Sequence, residues 1–301
     1  MYLYVDQIDH ELKHYLSSIK KGEIVGEVHS VYDRVINIHN KTADRFITVA
    51  SKNIIQSPDM MKTTDDVNFK SWGLSIKQSK KVFLIGYHRL LIGELMIDFE
   101  KAISRRAKIK ELSCSLNKLE KIIHKIDIFL DKKGEKAGVL HAYQHVFNPR
   151  EEDLEIKLTV HQRALLDRLI LFKQSYNSKQ LKHFIGLGIG LTPSGDDFLT
   201  GLLTVLHAYG GHSINKNINE KQAWLTFIKG RTTLVSYYML KHCLEGMTNE
   251  GLNQIVIKAD NVSEKDMDIV LNIGSTSGTD MLVGVVTGYR VLRDRYILGG
   301  D

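Results

Sequence analysis

Two rhythms of apolar residues run along this chain. Near the start Val5, Ile8, Leu12, Leu16 and Ile19 recur at spacings of three and four, which predicts a helix over roughly 5–20. From Glu23 to about Phe99 the pattern changes to runs rich in β-branched residues, at 24–38, 45–50, 81–87 and 90–97. Ser57-Pro58-Asp59 and Asp65-Asp66 mark loops between them. Short connections favour antiparallel pairing, so a mostly antiparallel barrel or sandwich-like β unit is expected.

Leu112, Leu116, Leu119, Ile123, Ile126 and Leu130 then form one more amphipathic helical stripe. From Leu158 the period is helical nearly to the end, with candidate helices at 160–176, 197–209, 221–229, 233–246, 250–258, 264–271 and 280–296. The expected architecture is therefore α+β. Residues 1–150 would form a β-rich N-terminal domain carrying the amphipathic helix, and residues 151–301 an α-helical domain.

Composition adds a location for the charge. The chain has 301 residues and a net charge of +6, and residues 101–136 alone carry 11 Lys+Arg against 5 Asp+Glu, which equals the whole excess. No aromatic interleaving or nucleic-acid motif accompanies this basic helix, so a solvated face or an acidic partner is expected rather than nucleic acid. No apolar run reaches a membrane span, and Met1–Asp6 lacks the features of a signal peptide, so no membrane partner and a cytoplasmic location are expected. Cys114 and Cys243 make no disulfide framework.

One formal metal motif appears, His10-Glu11-Leu12-Lys13-His14. On a helix its histidines fall roughly 200° and 240° round from Ile8, opposite the apolar stripe, so no metal is expected there. His141 and His145 share helical spacing without a carboxylate cluster and are expected in a loop or the core.

The chemistry concentrates in a stretch that occurs twice. Gly186-Leu187-Gly188-Ile189-Gly190-Leu191-Thr192-Pro193-Ser194-Gly195-Asp196-Asp197 leads into an apolar helix. Ser194-Gly195-Asp196-Asp197-Phe198-Leu199-Thr200-Gly201 recurs as Ser277-Gly278-Thr279-Asp280-Met281-Leu282-Val283-Gly284, 83 positions later. A glycine-rich loop feeding a helix N-terminus offers unpaired N–H groups to an anion. The simpler alternative is a capping pair followed by a glycine for close helix packing.

Three named motifs fail on this loop. The dinucleotide fingerprint lacks a strong preceding strand and its third glycine comes one residue early. The P-loop spacing Gly190–Gly195 puts Asp196 and Asp197 where Lys and Ser/Thr belong. No nucleophile elbow is present. What remains is a polar pocket from two helix starts, and the repeat predicts that the two copies meet in space. Thr192, Ser194, Ser275, Thr276 and Ser277 supply hydroxyls, and Gly188, Gly190, Gly195 and Gly278 allow close approach of a small carboxylate or phosphate. Gly195 is expected at the exposed mouth of the loop. Asp196, Asp197 and Asp280 are the candidate catalytic residues, to orient an amide or hold Mg²⁺, the one candidate cofactor. Arg231 and Thr232, at another helix start, add a bidentate cation and a hydroxyl.

These residues resemble the signature of the AllH-like family. The resemblance rests on Gly188-x-Gly190-Leu191-Thr192-Pro193-Ser194-Gly195-Asp196-Asp197-Phe198-Leu199-x-Gly201 and on Ile273-Gly274-Ser275-Thr276-Ser277-Gly278-Thr279-Asp280. In the second block Ser275 stands where the family pattern has His. Arg231-Thr232-Thr233-Leu234-x-Ser236 and Val28-His29-Ser30-Val31-Tyr32-Asp33-Arg34-Val35-Ile36-Asn37 resemble further family segments. The resemblance implies a subunit of oxamate carbamoyltransferase, acting with companion subunits in allantoin catabolism. Oxalurate and phosphate would give oxamate and carbamoyl phosphate. Two alternatives stay open: a noncatalytic assembly subunit whose loops pack on a partner chain, and an independent enzyme using Mg²⁺ and phosphate.

Overall fold

The computed structural model describes residues 1–72, 76, 81–149, 157–210 and 221–297. The chain forms two compact units, Met1–Ala107 and Lys108–Asp301.

The first unit is an eight-stranded mixed barrel with one added strand. Its strands are β1 (Tyr2–Asp9), β2 (Ile24–Val31), β3 (Val35–Asn40), β4 (Arg45–Ala50), β5 (Met60–Thr63), β6 (Lys81–Ile85), β7 (Arg89–Ile92), β8 (Leu95–Asp98) and β9 (Ile103–Arg105). They run in the order β5-β4-β3-β2-β6-β7-β8-β1, and β1 closes the ring by pairing with β5. Residues 2–4 of β1 pair with β8, and residues 7–9 pair with β9 along the same direction. Those two pairings and β4–β5 are parallel, while the other six are antiparallel. Alternate residues of the strands, among them Leu3, Ile36, Ile38, Ile47, Val49, Leu90 and Ile92, fill the interior.

The predicted helix over 5–20 is half strand. Residues 2–9 form β1, and the helix α1 (His10–Ser18) starts only after Asp9, whose side chain caps it by accepting from the Leu12 amide at 3.1 Å. The helix-like spacing from Val5 to Ile8 comes from a register shift between Val5 and Gln7, which turns both residues inward. Two predicted strands are hairpins instead. The run at 24–38 turns between β2 and β3, and the run at 90–97 turns at Gly93, whose φ of +59° suits glycine.

The second unit contains α2 (Leu116–Lys133), α3 (Leu140–Phe147), α4 (Val160–Ser175), α5 (Ser194–Tyr209), α6 (Lys221–Ile228), α7 (Leu234–Leu244), α8 (Glu250–Lys258), α9 (Glu264–Leu271) and α10 (Ser277–Ile297). Thr159, Asn249 and Ser263 cap α4, α8 and α9. The first 13 residues of α5 are buried on every side, so α5 is the central helix and α10 lies along it. His141 and His145 are half-buried on α3.

The basic helix α2 packs within this unit through Leu119, Ile122, Ile123, Ile126, Phe129 and Leu130. Part of its basic face has an acidic partner in the same chain. Lys118 pairs with Asp260, and Lys133 pairs with Glu264 and Asp268. Its Asp127 instead accepts from Arg290 Nη2 of α10 at 2.5 Å and from the Tyr143 hydroxyl of α3 at 2.6 Å. Removing one partner of a largely buried ion pair leaves the other uncompensated. Asp127→Ala should therefore cost about 2–3 kcal/mol of unfolding free energy in a urea titration, and Arg290→Met in the same background should recover part of it.

Candidate active site

The two helix starts meet. Thr192 Oγ1, just before α5, lies 2.9 Å from Ser277 Oγ at the start of α10, as the repeat predicts. The repeat also produces a local two-fold relation between α5 and α10. A Cβ on Gly201 would run into the carbonyl oxygen of Met281, and one on Gly284 into that of Phe198, its counterpart. The amide of Gly195 donates to Leu187 O at 2.8 Å, and that of Gly278 donates to Ile273 O at 2.9 Å. The two backbones can touch only because both copies have glycine at the contact.

The fold of the loop changes the expected role of Gly195. It is buried rather than at an exposed mouth, and a Cβ there would collide with Phe184 O. Its amide and that of Gly278 are already taken by loop carbonyls, so neither is a free donor for an anion. The half-buried groups at the mouth are Thr192, Thr276 and Ser277, while Ser194 is buried. Gly188 and Gly190 have positive φ values of 122° and 95° and shape the loop around them.

The three candidate carboxylates are fully buried. Asp196 is a fastener: it accepts from the Gly186 amide at 2.9 Å and from the Thr232 hydroxyl. Burial raises its pKa, and the hydrogen bonds from Thr232 and Gly186 oppose the rise. Thr233, the cap of α7, also donates to Leu191 O at 2.6 Å and ties the loop to that helix. Arg231 turns its side chain away, donating to Phe227 O at 2.8 Å with its guanidinium 4.2 Å from the Phe227 ring centre.

Asp197 and Asp280 occupy equivalent places in the two copies. Asp280 accepts from the Val139 amide at 2.6 Å, while its Oδ2 has no partner. Neither oxygen of Asp197 has one. The hydroxyls of Ser277 and Thr192 act to lower the pKa of Asp197, yet they are bonded to each other and reach its oxygens in no normal hydrogen-bond geometry. Burial, reinforced by the Asp280 charge, holds the Asp197 carboxyl well above the usual range. Burial pushes Asp280 up to about 7, against the pull of Val139, Ser194 and Thr276.

Sequence reasoning missed the segment 134–139 as part of this site. Gly138 packs directly against the Asp280 carboxylate and Val139 donates to it, but in the sequence the segment reads only as a helix break. Among the described residues no group of three or more His, Cys, Asp or Glu side chains is placed to hold a metal ion. Mg²⁺ usually keeps several waters, and with Gly138 closing one side the Asp197–Asp280 pair suits it poorly. A separate cavity of about 210 Å³, lined by His124, Asp127, Asp131, Tyr143, Gln144 and Asn148 among others, contains none of the loop residues. Among the described residues no helix is long and apolar enough to cross a membrane.

Residues 184–289 match the family model described as oxamate carbamoyltransferase subunit AllH, and residues 4–106 match that of the AllH family N-terminal domain. No solved structure matches the chain.

Proposed function

Because the chain belongs to the AllH family, we propose that it brings the paired-loop site to a complex with companion carbamoyltransferase subunits. The reaction interconverts oxalurate plus phosphate with oxamate plus carbamoyl phosphate, as a cytoplasmic step of allantoin catabolism. The observation that supports this most is the convergence of the two Ser-Gly-x-Asp helix starts on one point.

Oxamate and oxalurate are small carboxylates, and carbamoyl phosphate is the mixed anhydride of phosphate with a planar carbamoyl group. Transfer of the carbamoyl group builds negative charge on its carbonyl oxygen and on the leaving group. Two helix N-termini aimed at one place favour such charge, and the hydroxyls of Thr192, Thr276 and Ser277 can donate to it. Ser194, Gly188, Gly190, Gly195 and Gly278 shape the cradle, with Asp196 and Thr232 holding it closed. Arg231 would have to leave the Phe227 ring to take part.

One observation favours a different reading. Ile189 and Leu191, at the loop tip, are 76% and 44% exposed, as in a surface that packs on a partner chain. In that reading the loop assembles the complex and another subunit holds the reacting atoms.

Phosphorolysis of oxalurate should be measured with this chain alone, with its companions, and with the companions lacking it. Activity is expected only when this chain is present together with them. Thr192→Val with Ser277→Ala should then lower kcat by roughly 10²-fold or more at unchanged association, as lost oxyanion donors do. Activity that falls only in step with lost association would establish the assembly role instead.

A further inference from the structure

We infer that Asp197 and Asp280 hold one proton between them and carry the proton that carbamoyl transfer must move, through the serine and threonine hydroxyls at the loop mouth. This rests on the carbamoyl-transfer reading above.

The first support is the way the two carboxyls are enclosed. Both are fully buried, and three of their four oxygens have no hydrogen-bond partner. No Lys or Arg among the described residues is paired with either, and the charges acting on Asp197 are Asp280 and, more weakly, Asp196. Two carboxyls buried this deeply cannot both stay ionised, because burial penalises each charge and that of Asp280 adds to the cost at Asp197. A single proton resolves the conflict. Above about 7, the value to which burial pushes Asp280, that proton belongs on Asp197, which receives no donor, while Asp280 holds its charge against the Val139 amide.

The second support is the local two-fold relation. Each acid has the serine of the other copy as a neighbour: Ser277 acts on Asp197, and Ser194 acts on Asp280. The bonded Thr192–Ser277 pair, half-buried, spans from the acids to the mouth. Asp197 thus has a hydroxyl route outward through Ser277 and Thr192, and on the Asp280 side, where Ser194 is buried, the half-buried Thr276 is the hydroxyl that leads to the mouth.

The reaction calls for this pair of routes. When hydrogen phosphate attacks the carbamoyl carbon of oxalurate, a P–O–C bond forms and the phosphate oxygen gives up its proton. The bond from that carbon to the oxamate nitrogen breaks, and the nitrogen takes up a proton. Asp280, as carboxylate, receives the first through Thr276. Asp197, as acid, supplies the second through Ser277. The pair ends with one proton, as it began, and the near-equivalence of the two acids lets it return to Asp197. An acid and a base acting in one step is worth typically ~10²–10⁴-fold for each proton transfer.

The test uses the full chain, first alone and then in the reconstituted complex. Infrared spectroscopy of the chain at about pH 8.5, above the value of about 7 to which burial pushes Asp280, should show the carbonyl band of one buried carboxylic acid, absent from the Asp197→Asn, Asp280→Asn double variant. Asn is isosteric and neutral, and thermal melts should show these variants folded. In the complex, kcat of the wild type should trace a bell against pH. Asp197→Asn should flatten the bell and lower kcat at least ~100-fold with KM little changed. No acid band, two acid bands, or a stoichiometric metal in the purified chain would overturn the shared proton. A loss confined to KM, or an unchanged pH profile, would overturn the proton transfer. A wild-type complex that shows the band but transfers no carbamoyl group would sink the reading of the reaction and leave the shared proton standing.

Discussion

Replacing Gly201 or Gly284 with alanine should destabilise the chain by about 3 kcal/mol or more, at the upper end of what overpacking does. The added methyl of each has a backbone carbonyl in its way, Met281 O for Gly201 and Phe198 O for Gly284, and Leu202 and Val285 amides lie close behind. A side chain could rotate away from such a contact, but a carbonyl bonded within its own helix cannot. Relief requires α5 and α10 to separate, which uncovers Phe198, Leu202, Leu282, Val285 and Val286, all fully buried. Valine at either position should leave the chain unfolded under ordinary conditions. Urea midpoints by circular dichroism decide the matter, and a loss under about 1 kcal/mol for both alanine variants would mean that the helices do not cross this closely.

Stability should fall as pH rises from about 4 to 7. In the unfolded chain Asp280 titrates near the usual carboxylate value of about 3.9, whereas in the folded chain it is pushed up to about 7 by burial. Asp197 is raised in the same direction by burial and by Asp280. Between the unfolded and folded values the folded state binds the extra proton, so deprotonation on the alkaline side works against folding. The stabilisation by the protonated form is complete at the acidic end of this window and is lost as pH passes the folded value. The expected change is on the order of a few kcal/mol. Unfolding at pH 4, 5, 6 and 7 should show it, and Asp197→Asn, Asp280→Asn should remove most of the slope. A flat profile in the wild type would place the acids in a wetter or better-paired environment.

Much of the helical unit is legible from local pattern. The spacing of apolar residues and the caps at Thr159, Asn249 and Ser263 locate α4, α8 and α9 within a residue or so, because such helices carry both their buried stripe and their end signals in the sequence. The two Ser-Gly-x-Asp segments are visible for a different reason, since a repeat can be seen without knowing what it packs against. The mostly antiparallel β unit follows from short connections between β-branched runs.

Other features depended on partners far along the chain. Val5 and Ile8 satisfy a helical stripe equally well, and only pairing of β1 with β5 and β8 makes their segment a bulged strand that closes a barrel. Gly195 resembles an exposed loop mouth until Phe184 and Leu187 close over it, and Asp197 a simple cap until α10 lies across α5. Their burial comes from packing of the folded loop and of the two helices, and no local rhythm encodes it. The packing of the two helices lets the Asp280 charge act on Asp197, the segment at Gly138 and Val139 closes on the second acid, and carboxyl oxygens are left without donors. Residue types and spacing thus determined which side chains carry chemistry. Tertiary packing alone decided how far they lie from water, and for a carboxyl group that distance governs whether it holds a charge or a proton.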